Sequence, residues 1–500
     1  MPPAKTLILL STWAAFAQTT FTKVELLARP ATYQSHSYTR LDFGFHGKTH
    51  GYIADGGARG AYFTSAPEFV FVQTGSGANW QKAQLHFDAA KGIGLALVLP
   101  ERSRWNGKLY FTAHGAGVAF HLGNLKPWNA RTSEANPLAD LTRYEQLMLE
   151  KGYALAKSFR STDKQKGDCD LTLDDGTKRS GYNMTETPHL LTHFAKYAQA
   201  QIAQRLGAPP THTFWYGHSA GARVGRLVNY IPDLNQSTEG KPLFDGFLLD
   251  DSASGLWLPI LLRDGNESHD ILFAKAQDLA AFTKQFDITH LLYNAIKDEP
   301  APEWVSESYL QNKRRHTQIL AEKGLAHRHR YYEVQGISHT EAATTKGDQR
   351  SIPLWKLMDS LIDRLDEWAT KNIEPPANRS DWKPLNAQPA IALPEIACPL
   401  GVYYQYPQAL GAKGIGHTGF AIFDGKSLEP LDGRGVFVDM NRNGYWDQRE
   451  SLEEAWRRLG LLTPGEKFNE ARHATCVSHA ASSLAAAKLL SPTLANPYTN

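Results

Sequence analysis

The sequence predicts an α/β fold in which a mostly parallel central sheet is flanked by helices. Short apolar runs alternate with longer amphipathic stretches between residues 92 and 371, which is the pattern of strands joined by crossover helices. Several of these runs lack polar alternation, as expected for strands covered on both faces. With 500 residues, 42% of them hydrophobic, and 12 Trp, 20 Tyr and 22 Phe, the chain can bury a large core.

The first 17 residues are typical of a secretory signal peptide. Lys5 precedes an apolar run from Leu7 to Phe16, and Ala15-Phe16-Ala17 forms a small-x-small cleavage site. The alternative is a short membrane anchor, but the run falls short of the ~20 residues that span a bilayer. We therefore expect a secreted or periplasmic protein without a membrane span.

Residues 18–91 are predicted to form a β-rich N-terminal region, and the strands of the central sheet follow it. Those strands are predicted at GIGLALVLP (92–100), GKLYFTAHG (107–115), GYALAKSF (152–159), HTFWYG (212–217), FDGFLLDD (244–251), ITHLLYNAI (288–296) and HRYYEVQGI (329–337). Apolar residues recurring every three or four positions predict the helices. The helices are TPHLLTHFAKYAQAQIAQRLG (187–207), GARVGRLVNYI (221–231), SESYLQNKRRHTQILAEKGL (306–325) and PLWKLMDSLIDRLDEWATK (353–371).

Four further stretches depart from this alternation. Residues 161–182, which are polar and irregular, and residues 252–284 are predicted to be cap insertions in a central domain of residues 92–371. The prolines and polar residues of 372–399 indicate a linker or a segment wrapped over the surface. A distinct C-terminal region is predicted over 400–500.

Charge and cysteine content narrow the class of protein further. The 53 basic and 51 acidic residues nearly cancel and no basic tract is present, which argues against nucleic acid as a partner. The three cysteines are Cys169, Cys398 and Cys476, so one disulfide and one thiol are expected. Cys398 and Cys476 are the preferred pair because both lie in the C-terminal region.

The first indication of catalytic chemistry is the pentapeptide Gly217-His218-Ser219-Ala220-Gly221. This G-x-S-x-G pattern lies between a predicted strand and a predicted helix, which is typical of a nucleophile elbow. A side chain at Gly217 or Gly221 would collide with the neighbouring strand or helix. We interpret Ser219 as the nucleophile and the N–H of Ala220, at a helix N-terminus, as an oxyanion donor. The alternative is a tight turn with an idle serine.

A serine nucleophile needs a base and an orienting acid, in the order Ser, Asp or Glu, His. The segment VQGISHTEA places His339 just after the last predicted strand, and KDEPAPEW places Asp298 just after the preceding one. We interpret His339 as the base and Asp298 as the acid that orients it. Glu299 is the nearest rival to Asp298. Asp250 and Asp251, at the end of an earlier strand, are alternative acids.

The loop after an earlier strand supplies a second oxyanion donor. His114-Gly115-Ala116-Gly117 resembles the HGGG-type loop of lipases and esterases, in which small residues let the backbone approach the substrate carbonyl. The donor is assigned to the N–H of Ala116 or Gly115. The alternative is a flexible turn.

With these motifs the chain resembles the α/β-hydrolase family over roughly residues 90 to 370. The stretch RWNGKLYFTAHGAG, with the later KDEPAP and SESYL, is similar to the tannase and feruloyl esterase branch. That branch has a cysteine just before the serine and another just after the histidine, where this chain has His218 and Thr340. The resemblance therefore implies the fold, a serine esterase and the order of the triad, but not a tannase-type substrate.

A separate motif predicts a calcium loop in VFVDMNRNGYWDQRESLEEAW, which matches D-x-[DN]-x-[DN]-G-x5-E. Gly444 permits a sharp turn, and the helix SLEEAWRRLGLL is predicted to follow. A strand-like GVFVDM precedes the loop, so it resembles an EF-hand-like loop and not a paired EF-hand. Structural calcium is expected, with no cofactor for catalysis; the alternative is an Asn- and Gly-rich turn. The predicted oxygen ligands are Asp439, Asn441, Asn443, the carbonyl of Tyr445, Asp447 and Glu450.

Together these patterns predict an exported serine hydrolase that cleaves a small-molecule or polymeric carboxylic ester through an acyl-enzyme. Two alternatives stay open. One is a peptidase or amidase, because the same triad serves both leaving groups. The other is a secreted calcium-binding protein with an inactive hydrolase scaffold.

Overall fold

The computed structural model of the chain describes most of the predicted elements. The described residues are 6–8, 19–49, 69–73, 80–86, 92–114, 136–159, 168–173, 178–183, 187–230, 234–237, 239–251, 260–262, 282–294, 309–339, 352–405, 418–423, 425 and 451–499. The chain divides into two compact units. Unit 1 comprises Met1–Asp287, Asp298–His329 and Trp368–Asn372, and unit 2 comprises Ile288–Lys297, Arg330–Glu367 and Ile373–Asn500.

From β6 onward, helices are interspersed among the strands. The strands are β1 (Thr6–Ile8), β2 (Thr19–Tyr33), β3 (His36–Thr49), β4 (Phe69–Gln73), β5 (Trp80–His86), β6 (Gly92–Pro100), β7 (Lys108–His114), β8 (Ala154–Phe159), β9 (Asp168–Leu173), β10 (Lys178–Asn183), β11 (His212–His218), β12 (Gly246–Asp250), β13 (Ile260–Leu262), β14 (Lys284–His290), β15 (His329–Val334), β16 (Gly401–Gln405) and β17 (Thr418–Ile422). The helices are α1 (Arg143–Glu150), α2 (Thr187–Leu206), α3 (Ala220–Tyr230), α4 (Leu291–Asn294), α5 (Tyr309–Glu322), α6 (Trp355–Lys371), α7 (Pro394–Ala397), α8 (Leu452–Arg458), α9 (Glu470–Ala486) and α10 (Pro492–Thr499), with a 3₁₀ turn at Lys383–Leu385.

The largest sheet has ten strands in the order β1-β2-β3-β6-β8-β7-β11-β12-β14-β15. Strands β8, β7, β11 and β12 are parallel to their neighbours within that group. Strands β1, β2, β3 and β6 extend it in antiparallel pairs, and β6 is antiparallel to β8. Strand β1 lies within the residues predicted as a signal peptide, and β2 and β3, from the N-terminal region, belong to the central sheet.

Strand β14 and helix α1 differ from the sequence-based expectation. The strand predicted over 288–296 begins earlier, at Lys284, and ends at His290, after which α4 begins. Its first half was not recognised because Gln285 and Asp287 are polar, although both are buried among partners. Helix α1 was not predicted, although Thr142 and Glu145 form a capping box at its N-terminus.

The two predicted insertions contain strands of a second sheet, with the order β13-β10-β9-β5-β4. Strands β9 and β10 fall in the stretch predicted as irregular, and β13 falls in the other insertion. Strand β10 pairs with β13, and β9 pairs with β5 from the N-terminal region. Strands distant in the sequence thus meet in one antiparallel sheet, which the polar composition of 161–182 concealed.

The core of unit 1 is aromatic where α3 packs on the parallel strands. Trp215 on β11 contacts the rings of Phe111, Phe244 and Phe247, with centroid distances of 5.2, 5.2 and 6.2 Å. Trp215 is fully buried, and every residue of α3 from Gly221 to Tyr230 is buried as well. This packing fixes α3 against the strand that precedes it.

In unit 2, residues 373–399 of the proline-rich segment lie along β15. The N–H of Glu333 donates to the carbonyl of Arg379 (2.9 Å), and the N–H of Gln335 donates to the carbonyl of Ile391 (2.8 Å). The side chain of Asp381 accepts from the N–H of Ala390 (3.0 Å). Backbone groups of β15 are thereby satisfied by this segment.

The expected disulfide joins Cys398 to Cys476 in unit 2, with a Cα–Cα distance of 6.0 Å. Both cysteines pack in a small apolar cluster around Trp456, whose Nε1–H donates to the carbonyl of Pro399 (2.8 Å). Helix α8, predicted as the helix after the calcium loop, carries Trp456 and begins with a capping box between Ser451 and Glu454. None of the helices formed by the described residues is long and apolar enough to cross a bilayer.

We predict that replacing Cys398 and Cys476 by serine lowers the free energy of unfolding by about 4 kcal/mol, because the bond closes a long loop (78 residues apart) in the unfolded chain. Denaturant titration of the variant and of wild type with and without reductant measures the difference. Reductant should destabilise only the wild type. Equal stability of wild type and variant in the absence of reductant would contradict the prediction.

Candidate active site

Ser219 occupies a tight turn between β11 and α3. Its backbone φ is 57°, in the left-handed region that a residue with a side chain rarely adopts. The carbonyl of Ser219 accepts hydrogen bonds from the N–H groups of Ala222 (3.1 Å) and Arg223 (3.3 Å). The chain therefore passes from strand to helix at one residue, and Ser219 stays partly exposed.

The glycines around the serine are required by close packing. A Cβ added at Gly217 would lie 2.4 Å from the carbonyl oxygen of Gly221, and one added at Gly225 would lie 2.4 Å from Nε1 of Trp215. The same Trp215 Nε1–H donates to the carbonyl of Gly221 (3.2 Å). Helix α3 thus approaches β11 closely at two successive turns.

The end of β12 supports the turn from the other side. Strands β11 and β12 are parallel with His218 opposite Asp250, and the N–H of Ser219 donates to the carbonyl of Asp250 (2.9 Å). The Asp250 side chain accepts from the hydroxyl of Tyr216 (3.1 Å). Ala220, the predicted oxyanion donor, is the first residue of α3.

The two alternative acids are buried and hydrogen-bonded. Asp250 and Asp251 are 1% and 0% exposed, so neither is a solvated strand end. Asp251 Oδ1 lies 3.1 Å from Nζ of Lys313 on α5, which is buried too. Asp251 also has a left-handed backbone, with φ 41°. Burial lowers the pKa of the Lys313 ammonium, and the Asp251 carboxylate opposes that effect.

A second buried charge group surrounds Asp287 on β14. Its carboxylate accepts from Arg226 on α3 (2.6 Å), from Gln285 (2.7 Å), and from Nε2 of His329 (2.8 Å). Burial alone would raise the pKa of Asp287, but the Arg226 guanidinium and His329 hold it well below its usual range. The carboxylate is therefore ionised and ties the helix after Ser219 to β14.

Sequence analysis identified neither Asp287 nor Lys313. Their partners, Arg226 and Asp251, are 61 and 62 positions away, and no local motif joins such residues. A signal in the sequence is Arg226, a charged residue on the mostly small and apolar helix after the serine, seven positions beyond it. A charge on a buried helix indicates a buried partner.

His339 lies in unit 2, in a bend five residues after β15 ends, and is partly exposed. Gly336 starts this turn at φ 74°, where an added Cβ would lie 2.1 Å from Cδ1 of Ile396. The N–H of Ser338 donates to Oγ1 of Thr418 (3.1 Å), and its carbonyl lies 2.7 Å from Nδ1 of His290. The backbone that leads to His339 is thus fixed within this unit.

Several predicted positions lie outside the described residues. The described part of the chain contains no group of three or more His, Cys, Asp or Glu side chains suited to a metal ion. The positions outside it are the oxyanion-loop residues Gly115 and Ala116, the acids Asp298 and Glu299, Thr340, and the calcium-loop residues Asp439, Asn441, Asn443, Tyr445, Asp447 and Glu450.

Comparison with known proteins found one family and several solved structures of low similarity. The profile of the family described as "Alpha/beta hydrolase domain" matches residues 128–386. A truncated carbohydrate esterase from gut microbiota is 11% identical (TM-score 0.30; 49% of this chain and 83% of that one covered). Carboxyl esterase 2 from the fungus Tuber melanosporum is 13% identical (TM-score 0.29; 57% and 80% covered). A thermophilic esterase from Thermogutta terrifontis is 12% identical (TM-score 0.32; 59% and 92% covered). Among curated proteins, none matches the sequence.

We predict that Asp287→Asn lowers the free energy of unfolding at neutral pH by about 3–5 kcal/mol, since it breaks a buried ion pair from one side. Because the pKa of Asp287 is lower in the folded protein, its stabilisation is complete above the unfolded pKa of ~3.9 and is lost as the pH falls further. The difference between wild type and variant should therefore shrink below about pH 4.

Urea titrations of both proteins between neutral and acidic pH provide the measurement. Glu239→Gln is the control, because Glu239 forms an exposed ion pair with Lys241 and should change stability little. A difference that stays constant down to acidic pH would contradict the prediction.

Proposed function

Since this chain belongs to the alpha/beta hydrolase domain family, we propose that it is a serine hydrolase that cleaves carboxylic esters through an acyl-enzyme. The observation that carries the proposal is the left-handed Ser219 between β11 and α3. That geometry exposes a serine hydroxyl at the C-terminal end of a parallel strand, next to a helix N-terminus. An idle serine has no need of a strained backbone.

In the proposed reaction, Ser219 Oγ attacks the ester carbonyl while Nε2 of His339 takes the hydroxyl proton. The N–H of Ala220, with that of Ala116 or Gly115, stabilises the negative oxygen of the tetrahedral intermediate. His339 returns the proton to the departing alcohol. Water, deprotonated by His339, then attacks the acyl-enzyme, the acid leaves, and Ser219 regains its proton.

Asp298 is the proposed acid that accepts the Nδ1–H of His339. It follows the Ser, Asp, His order of this fold, and the two buried rivals have other partners. Asp250 is bonded to Tyr216 and Asp251 is paired with Lys313. Glu299 is the alternative to Asp298.

Export is part of the proposal and rests on two features. Residues 1–17 have the pattern of a signal peptide. The Cys398–Cys476 bond forms and persists in oxidising compartments such as the periplasm or the extracellular space. The substrate is accordingly a small-molecule or polymeric ester met outside the cytoplasm.

We predict that a fluorophosphonate probe labels the wild-type protein and that Ser219→Ala abolishes both labelling and ester hydrolysis, because the probe bonds to an activated serine oxygen. Gel fluorescence and mass spectrometry of the labelled peptide provide the measurement. Ser482→Ala, on the exposed side of α9, is the matched control and should label normally. Labelling of Ser219→Ala equal to wild type would refute the proposal.

The same preparation distinguishes esterase from amidase. p-Nitrophenyl esters of increasing acyl length, assayed beside p-nitroanilides, report the preferred leaving group, and His339→Ala and Asp298→Asn should each lower kcat by orders of magnitude. Preferential cleavage of anilides would replace the esterase by an amidase on the same triad. A folded protein inactive on every substrate would favour the non-catalytic alternative.

We further propose that residues 439–450 bind a structural calcium ion, on the strength of the complete ligand pattern in the sequence. Bound calcium stabilises the folded state by mass action, so we predict that a chelator lowers the Tm of wild type and that calcium restores it. Asp439→Ala should have the lower Tm without chelator, and the chelator should not change it. Equal Tm values with and without chelator would rule the site out.

A further inference from the structure

Beside the turn from strand to helix at residues 217–221, called the elbow below, lies a buried ion pair that the proposed reaction does not use. Asp251 follows β12 directly, and its Oδ1 lies 3.1 Å from Nζ of Lys313 on α5. Both side chains are almost fully buried, at 0% and 2% exposure. A buried pair of this kind offers little net stability, because both ions lose their hydration. Stability alone therefore does not explain why this ion pair lies beside Ser219.

The pair holds the residue that carries the elbow's backbone acceptor. The carbonyl of Asp250 accepts the Ser219 N–H (2.9 Å), and it belongs to the planar peptide that joins Asp250 to Asp251. The orientation of that carbonyl is therefore coupled to the backbone of Asp251, whose φ is 41°. A non-glycine residue keeps such a conformation only where its surroundings fix it.

The two left-handed residues occupy equivalent places on neighbouring strands. Ser219 follows His218 and Asp251 follows Asp250, and His218 and Asp250 face each other in the parallel register. One strained residue thus supplies the N–H, and the other helps to orient the carbonyl that accepts it. A change of backbone at Asp251 would move the acceptor away from Ser219.

Lys313 is well placed to hold Asp251 in this state. It lies on α5, where its own carbonyl accepts from Oγ1 of Thr317 (3.1 Å). The charges of Arg226 and Asp287 act on Lys313 as well, and those two residues form the neighbouring ion pair between α3 and β14. Two cations and two carboxylates thus form a balanced buried group behind the elbow.

We propose that Lys313 and Asp251 are positioning residues that hold Ser219 in its left-handed conformation, by fixing the peptide whose carbonyl bonds the Ser219 N–H. They touch no reacting atom. The catalytic consequence rests on the proposed function; the conformational one does not.

The kinetic experiment compares wild type, Lys313→Met and Lys313→Arg. Lys313→Met keeps a long buried side chain and removes the charge, whereas Lys313→Arg keeps the charge. We expect Lys313→Met to lower kcat for a p-nitrophenyl ester, and the maximal rate of fluorophosphonate labelling, by ~10- to 100-fold, as for a small misplacement of a reacting group. KM should change less than about twofold, and Lys313→Arg should recover most of the rate.

Arg40→Met is the matched control for lost stability. Arg40 forms a buried ion pair with Asp140 of unit 1 and contributes nothing to the elbow, so this variant should lower Tm and leave kcat unchanged. If Lys313→Met lowers Tm but keeps the wild-type kcat, the pair is only structural and the inference is wrong. Should Lys313→Met not fold, Asp251→Asn, which keeps the side-chain shape, serves in the same assays.

Hydrogen exchange separates this inference from the proposed function. Peptic peptides that cover residues 212–222 report protection of the Ser219 N–H by mass spectrometry. We expect Lys313→Met to lose about one protected amide there, with peptides of α2 unchanged. If the fluorophosphonate probe fails to label the wild-type protein, only the proposed function is refuted. If the Ser219 N–H stays fully protected in Lys313→Met, the positioning role is refuted.

Discussion

The contact of α3 with β11 is the constraint on which the rest of the site depends. Because the carbonyl of Gly221 lies against Gly217, with no room for a Cβ, the chain has one residue in which to reverse from strand to helix. Ser219 is that residue, and its φ of 57° follows from the approach of the two elements. Trp215 secures the approach, since its ring fills the space beside Gly225 and its N–H satisfies Gly221.

Charge in the interior of unit 1 complements this apolar packing. Arg226 on α3 and Asp287 on β14 form one pair, and Lys313 and Asp251 form the other. Replacing buried pairs by apolar residues is often neutral or stabilising in proteins, so the net free energy of folding gives little reason for these groups. These ion pairs instead fix position. Each pair permits one placement of the two segments that it joins, whereas apolar side chains would tolerate small shifts.

The sequence was informative where burial follows composition. Strand β6 and helix α2 were predicted with nearly their observed bounds because their apolar periodicities are unbroken. Strand β14 was misplaced because its buried face is polar, with Asp287 neutralised by residues far away in the sequence. The elbow could be predicted because its motif is local. The partners of Asp251 and Asp287 could not, since pairing across some 60 positions is decided by the fold.

The two strained residues show which side chains the site needs. Glycine would adopt the backbone of either residue at no steric cost, whereas a residue with a side chain in this region costs about 1–3 kcal/mol. At Ser219 the hydroxyl is the proposed nucleophile, which glycine lacks. At Asp251 the backbone alone would be satisfied by glycine, so the carboxylate must have its own use. That carboxylate pairs with the ammonium of Lys313, and we assign its use to holding the backbone beside Ser219 in place.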